Sequence, residues 1–269
     1  MNEASGKPQR QSAWANHPGY SIAFEPCPRR VRVMVAGETV ADSTAVMYMH
    51  EKAHVPVYYF PRDDVRVDLL TATDYDSFCP FKGEATYWSI AVDGQVCENT
   101  VWSYAAPFDE VAEIKDYLAF YWDRVDAWFE EDEEIFVHPR DPRVRVDVLA
   151  SGRRVVVQAA GMVVADSTRA HFLFETGLPA RYYLPAEDVR TDLLGATETE
   201  TQCPYKGTAR YWSLEADGNL LEDLVWSYPN PIAECAAIKE LMCFFNERVD
   251  RITVDGEPVV AVHTKWPPK

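Results

Sequence analysis

Residues 79–104 read CPFKGEATYWSIAVDGQVCENTVWSY, and residues 203–228 read CPYKGTARYWSLEADGNLLEDLVWSY. The two stretches align without a gap at a spacing of 124 residues. The same spacing carries Val40-Ala41-Asp42-Ser43-Thr44 to Val164-Ala165-Asp166-Ser167-Thr168, and Tyr58-Tyr59 to Tyr182-Tyr183. It also carries Asp68-Leu69-Leu70 to Asp192-Leu193-Leu194, and Arg124-Val125-Asp126 to Arg248-Val249-Asp250. One ungapped register over roughly a hundred residues makes the chain two copies of one domain. The acidic run Glu130 to Glu134 followed by His138-Pro139-Arg140-Asp141-Pro142 reads as a linker. The repeats are therefore expected at 1–138 and 139–269, with cores at about 20–136 and 140–260.

Within the quoted stretch, Thr86 to Val92 and Val101 to Tyr104 flank Asp93-Gly94, matched by Asp217-Gly218, which predicts a hairpin. Strand periodicity places Trp88, Ile90 and Val92 on one face, with Tyr87 and Ser89 on the other. A second hairpin is predicted from Val31 to Val35, Gly37 and Val40, repeated at Val155 to Val157, Gly161 and Val164. After Pro107 and Pro231 the period changes. Val111, Ile114, Leu118 and Tyr121 match Cys235, Ile238, Met242 and Phe245, a stripe that predicts one α-helix per repeat. The expected class is mainly β with that single helix.

Composition narrows the function classes. The 269 residues hold 26 Lys and Arg against 43 Asp and Glu, a net charge of −17, with no basic stripe to neutralise phosphates. Nucleic acid and anionic membrane are therefore not the expected partners. No apolar run is long enough to span a bilayer, and the first 25 residues lack a signal-peptide core, so a cytoplasmic protein is expected. The six cysteines contain no C-x-x-C pair, and none of the six histidines recurs at the repeat spacing. Structural zinc and disulfides are not expected, and no metal or other cofactor is assigned. Asp74-x-Asp76 and Glu198-x-Glu200 are spaced like magnesium-binding carboxylates, but no Gly-rich phosphate loop accompanies them.

The set Val-Ala-Asp-Ser, Tyr-Tyr-x-Pro-x-[Asp/Glu]-Asp-Val, Cys-Pro-[Phe/Tyr]-Lys-Gly, Tyr-Trp-Ser and Trp-Ser-Tyr resembles the family known as domain of unknown function 427. The resemblance covers both halves and implies a fold similar to the β-tent type, hence two tandem β-tent-like domains. The second copy fits the pattern better, from Glu175-Thr176-Gly177-Leu178-Pro179 through Trp226-Ser227-Tyr228-Pro229-Asn230-Pro231. The first departs from it at Phe81, Ala105 and residues 52–54. Its motifs imply that the second repeat is the principal site.

The candidate residues each carry a structural alternative. Cys79 and Cys203 precede Pro and lie three residues before Lys82 and Lys206, whose ammonium groups would favour a thiolate; each also reads as a buried turn cysteine. Lys82 and Lys206, before Gly, suit holding an anion or acting as a base, or are solvated. Glu51 and Glu175 are candidate pocket carboxylates or surface groups. Asp42 and Asp166 beside Ser, and Asp64 and Asp188, suit turns and short helical segments.

Recurrent aromatics are core or cage. Tyr58, Tyr59, Tyr87, Trp102 and Tyr104 return as Tyr182, Tyr183, Tyr211, Trp226 and Tyr228, with Phe81 returning as Tyr205. The leading expectation is an enzyme using acid/base chemistry, without metal or nucleotide, on a small polar organic molecule. Lys206 would hold or deprotonate substrate, Glu175 would exchange a proton, Tyr182 and Tyr211 would donate hydrogen bonds, and Trp226 would form the wall. Cys203 joins the catalytic candidates, and Tyr183, Tyr205 and Tyr228 the binding ones. Lys82, Glu51, Tyr58, Tyr87, Cys79, Trp102 and Tyr104 are the first-repeat equivalents. A non-catalytic aromatic cage and a purely structural repeat protein are the alternatives.

Overall fold

The computed structural model describes residues 10–216 and 218–260, and the chain divides into two compact units between Asp141 and Pro142. Each unit holds one seven-stranded and one four-stranded antiparallel sheet. In the second unit the larger sheet runs, in spatial order, Val146–Ala150, His171–Glu175, Arg181–Leu184, Met242–Phe244, Asn219–Pro231, Gly207–Ala216 and Leu194–Cys203. The smaller runs Met162–Ser167, Val155–Ala159, Arg251–Val254 and Glu257–Pro258. The first unit repeats this topology, with Met47–Glu51, Val57–Pro61, Gln95–Ser103 and Gly83–Val92 in the positions that matter below. The mainly β, two-domain architecture read from the sequence is the one observed.

Both expected hairpins form around left-handed turn residues. Ala36 and Gly37 take φ of 50° and 78°, and Asp93 and Gly94 take 46° and 86°. Two successive positive φ values match the turn to the twist of the flanking strands. In the second repeat Asp217 lies outside the described residues, while Gly218 has φ of 76°.

The predicted α-helix is corrected. Asp109–Ile114 and Ala233–Ile238 are short 3-10 segments, each broken by a non-helical residue at Val111 or Cys235. The rest of the stripe belongs to strands or turns: Leu118 lies in Tyr117–Phe120 and Met242 in Met242–Phe244. A spacing of three is also the repeat of a 3-10 turn, and a strand buried on both faces supplies apolar residues at any spacing. The stripe therefore did not require a continuous helix. Cys235, in the stripe, and Cys243, next to Met242, are both fully buried.

The larger sheet is apolar on both faces, and this positions the site. One face packs on the smaller sheet through residues such as Phe172, Tyr182, Leu184, Leu214 and Val225. The other face carries Leu173, Tyr183, Tyr211, Trp226 and Tyr228, closed at its base by Cys235 and Ile238. Alternation separates each adjacent pair, Phe172 from Leu173 and Tyr182 from Tyr183. In the first repeat, Ile90 and Val92 likewise face the smaller sheet with Trp88 packed against them, and Tyr87 faces away, as the period-two reading requires.

The Val-Ala-Asp-Ser motif is a structural device. Arg154 chelates Asp166 at 2.8 and 2.6 Å, and Ser167 donates at 2.6 Å to Asp188, the last residue of the 3-10 turn Ala186–Asp188. Arg30, Asp42, Ser43 and Asp64 repeat the arrangement. Among the described residues no helix is long and apolar enough to cross a membrane.

Candidate functional site

The Cys-Pro-Tyr-Lys-Gly turn joins strands Leu194–Cys203 and Gly207–Ala216 and aims Lys206 inward. The Lys206 amide donates to the Cys203 carbonyl at 3.2 Å, and the Ile232 amide donates to the Lys206 carbonyl at 3.1 Å. Glycine is required after the lysine. Gly207 has φ of 105°, and a Cβ there would meet the Asn230 carbonyl oxygen at 3.0 Å.

So held, the Lys206 ammonium donates to Glu175 Oε2 at 2.5 Å, with the two side chains 12% and 9% exposed. Burial alone would lower the Lys206 pKa, but the nearby Cys203 sulfur and the Glu175 carboxylate together hold it above the usual lysine value. Lys206 is therefore an ammonium ion that holds negative charge. The expected alternative role as a base does not suit it.

The pair borders a cavity of about 260 Å³ whose lining also includes Leu178, Arg181, Tyr183, Tyr211, Trp226, Tyr228 and Phe245. Trp226 Nε1 donates to the Tyr183 hydroxyl at 3.1 Å, and the two rings meet edge to face. Phe245 packs against Trp226 at 4.4 Å between ring centres. The Tyr211 hydroxyl shares a hydrogen bond of 2.7 Å with Thr201. Burial pushes up the pKa values of Tyr183, Tyr211 and Tyr228, so all three stay protonated and serve as hydrogen-bonding groups.

Arg181 was not anticipated. Its guanidinium lies 5.6 Å from the Trp226 ring centre and chelates Glu247 at 2.6 and 2.9 Å, with both side chains mostly buried. The clue lay in the internal comparison, because the equivalent residue in the otherwise matching Tyr-Tyr strand is Val57.

Of the expected second-repeat residues, Glu175, Lys206, Tyr183, Tyr211, Trp226 and Tyr228 come together. Tyr182 does not. It lies in the core between the sheets, one residue out of phase with the site face. Cys203 is half-buried at the strand end beside Lys206, and Tyr205 is half-buried with its carbonyl accepting from the Cys235 thiol at 3.3 Å. Neither lines the cavity.

The first repeat gathers the same set around Tyr59, Tyr87, Trp102 and Tyr104, with Cys79 packed beside them and Lys82 bonded to Glu51. Tyr58, like Tyr182, faces the other core, where its hydroxyl donates to Glu130. Burial would raise the Glu51 pKa, but Lys82 holds it below the usual carboxylate value. One feature is peculiar to this copy. The Tyr20 hydroxyl donates to Glu51 Oε1 at 2.5 Å, its ring stacks on Phe81 at 3.6 Å, and the Trp14 indole donates to the Phe81 carbonyl at 2.8 Å. Phe81 thus serves as a platform for the segment preceding the first strand.

Among the described residues no three His, Cys, Asp or Glu side chains converge as a metal-binding group. Comparison with curated proteins returns no match. The model of one family matches the chain twice, over residues 23–131 and 147–255, and the chain belongs to that family, Domain of unknown function (DUF427).

Proposed function

We propose that the second repeat acts on a small polar organic molecule by acid/base chemistry, with Glu175 as the proton-exchanging group. The observation that carries this reading is the buried Glu175–Lys206 pair set in the wall of an aromatic cavity. Lys206 forms an ion pair with Glu175 and fixes its orientation by occupying Oε2, while Oε1 has no hydrogen-bond partner among the described residues. A carboxylate oxygen that faces an aromatic-lined cavity is a suitable acceptor for a substrate proton. Trp226 and Phe245 supply the apolar wall, and Tyr183 takes the hydrogen-bonding role first given to Tyr182.

A second reading, a non-catalytic aromatic pocket, is favoured by one observation: Lys206 and Arg181 are each engaged by a carboxylate. One experiment separates the two. A fragment screen by NMR on the full chain should shift the Trp226 indole resonance, and Trp226→Ala should abolish that binding. Among compounds that bind, wild type should convert some while Glu175→Gln binds them without product. Binding with no product from wild type would establish the pocket and remove the enzyme. Fragments that never perturb Trp226 would remove both.

A further inference from the structure

The two repeats present the same buried carboxylate in two states. In the first, Lys82 occupies Glu51 Oε2 and the Tyr20 hydroxyl occupies Oε1, so both oxygens are satisfied from within the chain. In the second, Lys206 occupies Glu175 Oε2, and Oε1 lacks a partner among the described residues. The reason is one side chain. Tyr20 stands two residues before the strand Ile22–Pro26, and the residue two before the equivalent strand Val146–Ala150 is Val144. Backbone register is conserved here, since the Lys52 amide donates to the Ser21 carbonyl as the Thr176 amide donates to the Arg145 carbonyl. Valine offers neither the ring nor the hydroxyl.

Resting on the reading of this cavity as a small-molecule site, we infer that the second repeat binds a small neutral hydroxyaryl compound whose O–H donates to Glu175 Oε1. The first repeat satisfies the equivalent oxygen from its own chain, through the Tyr20 hydroxyl. Charge excludes the neighbouring classes. Glu175 is paired with Lys206 and Arg181 with Glu247, so neither a cationic nor an anionic ligand meets an unpaired opposite charge. A flat ring suits walls built from Tyr211, Trp226, Tyr228 and Phe245. A volume of about 260 Å³ lies below the range of drug-sized pockets and suits a single ring.

The test uses p-cresol, the side chain of tyrosine as a free molecule, against toluene, which lacks the hydroxyl. Calorimetry on the full chain should give one p-cresol site and at least tenfold weaker toluene binding, the loss expected for a hydrogen bond to a charged acceptor. Val144→Tyr should abolish p-cresol binding, because the second repeat then supplies its own phenol. Tyr20→Val should raise the stoichiometry from one to two. Circular dichroism on both variants checks that the fold is intact. Equal affinity for toluene would overturn the hydroxyaryl class while leaving a small-molecule cavity in place. An absence of p-cresol binding, or binding untouched by Val144→Tyr in a folded protein, would overturn the inference outright, with the fragment screen at Trp226 deciding the wider reading separately.

Discussion

Lys206 reaches Glu175 through Oε2 at 2.5 Å, with both side chains about nine-tenths buried. A pair so placed is asymmetric in its energetics. Its formation contributes little net stability against an apolar substitute, but removal of one partner strands a buried charge. Lys206→Met should therefore cost about 3–5 kcal/mol, and it does not serve as a silent probe of function. Adding Glu175→Leu should recover most of that loss. Urea denaturation of the two variants checks this, and an equally unstable double variant would show that packing of the lysine stem, not its charge, matters.

The two Lys–Glu pairs, one in each repeat, set a pH dependence with opposite limbs. Lys206 has a folded pKa above its ordinary value of 10.5, so its contribution is complete below that value and is lost as pH rises through the folded pKa. Glu51 has a folded pKa below its ordinary value of 4.5, so its contribution is complete above that value and is lost as pH falls through the folded pKa. Unfolding midpoints measured across pH should show a decline beyond each limit. Glu51→Gln should flatten the acid limb and leave the alkaline limb in place.

The Gly207 position tests how the site lysine is aimed. Alanine there would adopt a left-handed φ and press its Cβ against the Asn230 carbonyl, so Gly207→Ala should cost about 2 kcal/mol or more. Gly83 has the same φ but a nearest contact of 3.3 Å, to the Ala106 carbonyl, so Gly83→Ala should cost less. Thermal denaturation of the two variants gives the order, and a larger loss at Gly83 would contradict the tighter approach at Gly207.

How much of this was legible in the sequence depends on what each signal encoded. Duplication, hairpins and the face assignment of Tyr87 were readable because turn chemistry and period-two alternation are local. The Lys206 and Glu175 candidates were readable because recurrence flagged them. The helix was misread because a stripe with spacing of three to four fits two 3-10 turns and a doubly buried strand equally well. Tyr182 was placed in the site beside Tyr183, with the hydrogen-bonding role, because a strand apolar on both faces hides its phase. Arg181 and Tyr20 stayed invisible for another reason: they are differences between the copies, and recurrence was the filter.

The phase of that strand gives the last prediction. Tyr182 and Tyr183 are adjacent, yet only Tyr183 accepts the Trp226 indole N–H, and its ring lies in the site cluster. Tyr183→Phe leaves a buried donor without its partner, which should cost about 1–3 kcal/mol. It should also weaken p-cresol binding, since the indole wall is no longer fixed. Tyr182 packs between the sheets and makes no side-chain hydrogen bond among the described residues, so Tyr182→Phe keeps its packing and should stay within about 0.5 kcal/mol of wild type, with binding unchanged. The two variants differ by the same single oxygen atom in neighbouring residues. A difference in binding between them therefore reports which face of the sheet carries the site, and equal effects would place the ligand elsewhere.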